Sequence, residues 1–363
     1  MKFYKRYDTK KINIGGITIG GGSLVAVQSM TNTDSRDWRS TVRQIKQLEE
    51  IGCEIIRVSF PDLESVCNVR KIKKNIKIPL IADIHFDYRI AVEAIKNGID
   101  KLRINPGNIG SKGNVEILVK KAKKYHIPIR IGINAGSLNG IYSIDNNLLR
   151  AKMLVNSAMK HIKVFEKNSF YDIVVSLKTS NIDTTIKAYK LFSSKRNYPL
   201  HLGITEAGPF IDGSIKSAVG LGIMLFDGIG DTIRISLTEN PIKEVNASYS
   251  LLRSIGLRNF GVEIISCPTC SRCKVDLIKI VSEFKRKIST IDSLNKFSKS
   301  LKVAIMGCIV NGLGESENAD FCVIATEKES GLLFKNRNIV MKANYDKLIN
   351  RLVCILIDYV KCN

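Results

Sequence analysis

Short β-branched runs alternate with longer amphipathic stretches through about the first 240 residues. The runs are Val25–Met30, Ile55–Phe60, Leu80–Ile84, Lys101–Pro106, Ile129–Asn134, Ile173–Lys178, His201–Glu206 and Thr232–Leu237. Each is short enough for a strand buried on both faces, and most are separated by enough chain for one helix. Eight βα units over this length predict a TIM (β/α)8 barrel. A doubly wound sheet would need a Gly-rich dinucleotide turn after an early strand. Gly20-Gly21-Gly22 precedes its strand instead and reads as a turn.

The eighth helix is marked at both ends. Asn240-Pro241 supplies a cap and a proline at the first helical position, and Gly256 stands where a C-terminal cap belongs. Beyond it the pattern changes. A strand at Val262–Ser266 leads into cysteines, and an amphipathic helix follows with Leu277, Ile278, Val281, Phe284 and Ile288 on one face. Strands are predicted at Val303–Met306 and Cys322–Ala325, a hairpin around residues 335–338, and a last helix through Leu348, Leu352 and Leu356. The expected organisation is a barrel over residues 1–258 and a smaller α+β domain over residues 259–363.

Composition adds bounds. With 363 residues, 44% hydrophobic and 25% charged, the chain is globular and long enough for about two domains. The basic N-terminus leads into no apolar signal region, and runs such as Leu352–Ile357 fall far short of a membrane span, so a cytoplasmic protein is expected. A net charge of +22 invites a nucleic-acid reading. The lysines are dispersed over presumptive helix faces, however, with no zinc finger, RNA-binding signature or aromatic-interleaved strip, and no nucleic-acid partner is expected.

Strand alternation carries more information than charge. Residues two apart share a face, and the runs place Arg57/Ser59, Asp83/His85, Arg103/Asn105, Arg130/Asn134, Ser176/Lys178, His201/Thr205 and Arg234/Ser236 toward the lumen near the strand C-termini. On a barrel this is the catalytic face. Arg57, Arg103, Arg130, Lys178 and Arg234 would converge there, with Asp83, Asp87 and Glu206 as the carboxylates near them in register. Self-repelling cations in a dry lumen call for an anion, and arginine forks suit phosphate oxygens, so a small, multiply phosphorylated ligand is expected. His85 and His201 share the register of the cations, and Glu206 is placed to relay a proton or stabilise positive charge.

Five of the nine cysteines lie between Cys267 and Cys322. Without a signal peptide this points to metal or redox chemistry rather than disulfides. Cys267 and Cys270 form a C-x2-C pair that Cys273 extends, and Cys308 follows a later strand. The spacing alone admits a zinc site, a dithiol or a ferredoxin-like run.

The chain resembles the 4-hydroxy-3-methylbut-2-en-1-yl diphosphate synthase family over nearly its whole length. The resemblance rests on Val27–Thr33, Ala82–Arg89, Leu102–Asn108, Arg130–Ser137, Leu202–Gly208, Gly228–Arg234 and Ser266–Cys270. It implies reductive ring opening and dehydration of 2-C-methyl-D-erythritol 2,4-cyclodiphosphate in isoprenoid precursor synthesis. It also implies one 4Fe–4S cluster per subunit, held by Cys267, Cys270, Cys308 and Glu315, with Cys273 a neighbour outside the ligand set. Arg57, His85, Arg103, Arg130, Asn134, Lys178, His201, Arg234 and Ser236 would bind substrate, and Glu206 would act in catalysis. Flavodoxin or ferredoxin would donate electrons to a homodimer whose active sites each join the barrel of one subunit to the cluster of the other. Two departures stand out: Leu313 replaces the family's loop proline, and Ala325-Thr326 replaces a glycine pair. The rival readings are another phosphate-binding barrel enzyme with a pterin-type substrate, which would not need the cysteine domain, and a basic nucleic-acid-binding protein with a structural metal.

Overall fold

The computed structural model describes residues 6–327 and 330–362, without the side chains of Pro106, Lys112, Asn311, Glu315 and Ser316. The chain divides into two compact units, residues 1–257 and 258–363. Among the described residues no helix is long and apolar enough to cross a membrane.

The first unit opens with an antiparallel hairpin, β1 (Ile12–Ile14) and β2 (Ile17–Ile19), which strand periodicity did not announce. Eight parallel strands follow: β3 (Ala26–Met30), β4 (Ile55–Ser59), β5 (Leu80–Ile84), β6 (Lys101–Ile104), β7 (Ile129–Asn134), β8 (Ile173–Lys178), β9 (His201–Leu202) and β10 (Thr232–Ile233). They run in the order β8-β7-β6-β5-β4-β3-β10-β9, and one parallel bridge between Val175 and Leu200 closes the ring. This is the expected TIM barrel. Ile12, Ile14 and Ile19 of the hairpin pack with Ala26, Ile55, Ile81 and Val174 at the strand starts, so apolar side chains plug the N-terminal end. The helix Pro241–Ser254 is capped by the Asn240 side chain, and Gly256 behind it takes a left-handed φ of 70° that only glycine adopts freely.

β9 and β10 are shorter than the runs His201–Glu206 and Thr232–Leu237 predicted. Beyond Leu202 the chain passes close to side chains instead of continuing a ladder. A Cβ on Gly203 would collide with Lys178 Nζ and lie 2.7 Å from the Arg234 carbonyl, so the position has no room for one.

The second unit carries a mixed sheet, β11 (Glu263–Ser266), β12 (Lys302–Met306), β13 (Phe321–Ala325), β14 (Ser330–Lys335) and β15 (Asn338–Asn344), ordered as in sequence. The first three are parallel and the last two form the expected hairpin. Asn336 and Arg337 make its turn at φ 46° and 70°, the left-handed pair that two-residue hairpins need. Helices Leu277–Ser289 and Tyr345–Cys362 bury Phe284, Ile288, Leu348, Leu352 and Leu356 in one core with Val303, Ile305 and Val323. A smaller cluster of Ala304, Met306, Cys322, Ile324 and Phe334 forms separately.

Candidate active site

At the C-terminal end of the barrel the alternation of each strand delivers side chains into one cavity of about 210 Å³. Arg57, Arg103, Arg130, Lys178 and Arg234 line it, with Asp83, His85, Asn134, Ser176, Thr205 and Ser236. The five cations anticipated from strand register therefore do meet. Arg103 Nη1 donates to Asp83 Oδ1 at 2.8 Å and lies 2.6 Å from His85 Nε2, while Arg57 Nε is 3.7 Å from Asp83 Oδ2. Arg57 Nε and Nη2 also lie 2.9 and 2.7 Å from Met30 Sδ, a weak acceptor that orients the guanidinium.

The carboxylates are not all those expected. Asp87 caps the helix Tyr88–Lys96 and pairs with Arg89 at 2.7 Å. Glu206 is exposed and does not line the cavity; it follows Thr205, which does, and holds a left-handed φ of 52°. Glu244, on the helix after the barrel, takes a place near the cations instead. Its Oε1 and Oε2 each lie 3.3 Å from Arg234 nitrogens, and it accepts from Ser29 Oγ at 3.2 Å and the Leu237 amide at 3.0 Å. Strand reading had no means to find a partner supplied by a helix. Among the described residues Asp83 and Glu244 are the only carboxylates paired with the five cations.

That imbalance shapes the protonation of the site. Burial, offset in part by Asp83 and reinforced by Arg234 and Arg103, pushes Arg57 down to about 9, so it stays charged at neutral pH. Burial first, then neighbouring cations, also drives Arg130 and Lys178 well below their ordinary values. Burial pushes Asp83 up, but Arg57, Arg103 and His85 together outweigh it and hold the carboxyl well below the usual range. His201, predicted to touch substrate, lies fully buried outside the cavity lining, with Nδ1 2.8 Å from Thr232 Oγ1.

In the second unit the cysteines gather where two adjacent parallel strands end. Cys267 directly follows β11, and Cys308 follows β12 after Gly307; Ser266 is in register with Ile305. The Gly307 backbone ties the two loops together. Its N–H donates to Cys267 Sγ at 3.3 Å and its carbonyl accepts from the Lys274 amide at 2.9 Å. A Cβ at this position would collide with Cys273 Sγ. Cys270 is exposed, and Cys267, Cys273 and Cys308 are half-buried. Cys273 Sγ donates to the Val275 carbonyl at 3.2 Å. The Glu315 side chain lies outside the described residues; its backbone belongs to the helix Ile309–Ser316 that starts after Cys308.

This donor set fits an iron–sulfur cluster. Among the described residues no three His, Cys, Asp or Glu side chains converge as one metal ion requires. A four-iron cluster asks less, because each thiolate ligates a different iron, and a backbone N–H on Cys267 sulfur is the kind of bond that tunes such clusters. Of the remaining cysteines, Cys53 and Cys322 are buried, Cys322 in the small core cluster against which Cys267 packs, and burial pushes both thiols up to about 12, while Cys67, Cys354 and Cys362 are exposed.

Comparison with known proteins agrees with both halves. The GcpE TIM-barrel domain matches residues 9–249 and the GcpE protein C-terminal domain matches residues 263–358. A 4-hydroxy-3-methylbut-2-en-1-yl diphosphate synthase (flavodoxin) of Clostridium acetobutylicum is 49% identical, over 96% of this chain and 98% of its own. The protein of that name from Caldanaerobacter subterraneus is 52% identical over 95% of each chain. Solved dihydropteroate synthases from Yersinia pestis and Stenotrophomonas maltophilia superpose with TM-scores of 0.51 and 0.53 over 68% of this chain and 98% of theirs. At 14% and 10% identity they share the barrel fold alone. On the strength of two family domains that together span both units, the chain belongs to the GcpE family.

Proposed function

We propose that this protein is an iron–sulfur oxidoreductase that opens 2-C-methyl-D-erythritol 2,4-cyclodiphosphate reductively, with loss of water, to 4-hydroxy-3-methylbut-2-enyl diphosphate. The observation that carries the reading is the cavity itself: five cations around about 210 Å³, paired among the described residues with only two carboxylates. Such a site is incomplete without a small polyanion. Arg57, Arg103, Arg130, Lys178 and Arg234 bind the diphosphate, and His85, Asn134 and Ser236 orient it by hydrogen bonds. Glu206 handles a proton at the rim. Its left-handed backbone costs about 1–2 kcal/mol, the kind of strain that collects at functional positions.

Cys267, Cys270, Cys308 and Glu315 would hold one 4Fe–4S cluster per subunit. When bound, that cluster supplies one-electron transfers and a Lewis-acidic iron. The flavodoxin in the relatives' names supports flavodoxin, or the functionally equivalent ferredoxin, as the electron donor. Anaerobically purified protein with reduced flavodoxin should convert the cyclodiphosphate to the linear diphosphate; a cluster-loaded protein that binds the cyclodiphosphate but releases no product would overturn the reading.

We further propose a homodimer with each active site shared between subunits. The outer face of the helix Phe210–Phe226 supports pairing. Phe210, Ile211, Ile215, Val219, Ile223 and Phe226 are 41–68% exposed there, and the helix has Asp212 and Lys216 as its only charged residues. Sharing is supported by the short connection between Ser254, where the last barrel helix ends, and Glu263, where β11 begins. That helix leads away from the catalytic end of the strands. Mixing Arg130→Ala with Cys308→Ser subunits, at a substrate concentration too low for Arg130→Ala to turn over, should restore activity on exchange; a mixture that exchanges by mass yet stays inactive would refute the shared site.

A further inference from the structure

Parallel barrels fill their interiors with layers of four side chains taken from alternate strands. Register and alternation place Ile55, Lys101, Val174 and Thr232 in one layer here, and Gln28, Ile81, Arg130 and His201 in the next toward the cavity. Asp83 and Arg130 reach the cavity floor; Gln28, Lys101 and His201 do not. These last three and Arg130 are at most 1% exposed. Lys101 Nζ, both amide atoms of Gln28, His201 Nε2, and Arg130 Nε and Nη1 are sealed from solvent with no hydrogen-bond partner among the described residues.

A fold seldom leaves so many polar atoms unmatched in two adjoining layers. Gln28 Oε1 is the one acceptor among these atoms; the ammonium, the guanidinium and the amide NH2 are donors that lack one. His201 Nδ1 shares a proton with Thr232 Oγ1, and in the tautomer in which that hydroxyl donates, Nε2–H is a donor as well. Asp83, the carboxylate two residues beyond Ile81 on the same strand face, is already engaged by Arg103, Arg57 and His85. Charge argues the same way: burial first, then Arg130 and Arg57, hold Lys101 well below its ordinary value, among the described residues no carboxylate pairs with it, and an anion beside it favours the ammonium.

We propose that these layers hold a small monovalent anion, chloride under ordinary conditions, ligated by Lys101, Arg130, Gln28 and His201 beneath the diphosphate cavity. The site is structural in origin and stands whatever reaction the cavity above performs. It offsets part of the cation excess before substrate arrives.

The test is crystallographic and thermal. Crystals of the holoenzyme grown with bromide in place of chloride, and with inorganic pyrophosphate filling the cavity above, should give a bromine anomalous peak against Lys101 Nζ and Arg130. In solution, with pyrophosphate present and ionic strength held constant, bromide in hundredfold excess over its Kd should raise the melting temperature by roughly 5 °C relative to gluconate. Lys101→Met should abolish that shift. No bromine peak in these layers, water alone in its place, or an equal halide shift in Lys101→Met would each overturn the proposal. Should Lys101→Met fail to fold, the diffraction experiment on the native chain decides.

Discussion

The two candidate sites are built on opposite principles. At the barrel mouth the functional groups are ionisable side chains, mostly buried, and several are braced by the protein: Asp83 against Arg103 and Arg57, Glu244 against Arg234. Their desolvation is met when the chain folds, so the cavity stands oriented before any ligand enters. The cysteine loops carry thiols, half-buried or exposed, and the backbone of Gly307 joins them in place of side-chain partners. Nothing there costs much until a group binds. A preformed anion site and a site completed by its cofactor should therefore fail in different ways when cut.

The largest effects belong to the cysteines. Cys267→Ser, Cys270→Ser and Cys308→Ser should each abolish cluster iron, sulfide and turnover, while the barrel still binds pyrophosphate as the native protein does. Cys273→Ser should keep cluster and activity, since its sulfur is occupied with the Val275 carbonyl. Iron and sulfide analysis of the four variants separates the cases, and loss in Cys273→Ser would make it a ligand.

Barrel-mouth cuts should register first as stability. Glu244→Ala strands the Arg234 guanidinium, Ser29 Oγ and the Leu237 amide together, and removing one partner of a buried pair costs about 3–5 kcal/mol. Urea unfolding measures it. A loss under about 1 kcal/mol, the range of exposed pairs, would show that the brace is solvated.

How far such differences were visible in the sequence depends on what each residue leans on. Arg57, Arg103, Arg130 and Lys178 were legible because a strand's period of two is rigid: position along the run decides which way the side chain points. Arg234 was legible too, although the ladder ends one residue before it. Glu206 was misplaced because its strand stops at Leu202 and a left-handed turn takes over, which no periodicity encodes. Glu244 and Lys101 were missed for another reason. One reaches the site from a helix and the other sits a layer too deep, and both are identified only once the ring has closed. In the second unit the C-x2-C pair was visible, but the role of Gly307 depends on two strands lying side by side.

Arg130→Ala gives a smaller effect with the opposite signature. Arg130 Nε and Nη1 have no partner among the described residues, so with gluconate in place of halide truncation should leave stability nearly unchanged or improve it. Losing a charged hydrogen bond to phosphate, worth about 1.5–3 kcal/mol, should weaken cyclodiphosphate binding roughly 10- to 150-fold with the cluster intact. Calorimetry reads the affinity directly. Unchanged affinity would place Arg130 outside the binding site and separate it from the braced cations.

The smallest effect is a pH signature that only the barrel mouth should carry. Asp83 is held well below the ordinary carboxyl range in the folded protein, because Arg57, Arg103 and His85 together outweigh the burial that opposes them. A depressed folded pKa stabilises above the unfolded value, about 3.9, and that contribution fades as pH falls toward the folded one. The unfolding free energies of the native chain and Asp83→Asn should therefore differ by a constant amount from about pH 7 to 5, then converge below about pH 4. Cys308→Ser, compared in the same way, should show no convergence in that acid window, since among the described residues no carboxyl is braced by the thiols it alters. Denaturant titrations at stepped pH test both. If Asp83→Asn tracks the native chain in parallel down to pH 3, the ion pairs of the cavity contribute nothing that protonation can remove, and the contrast between a braced site and a waiting one loses its electrostatic basis.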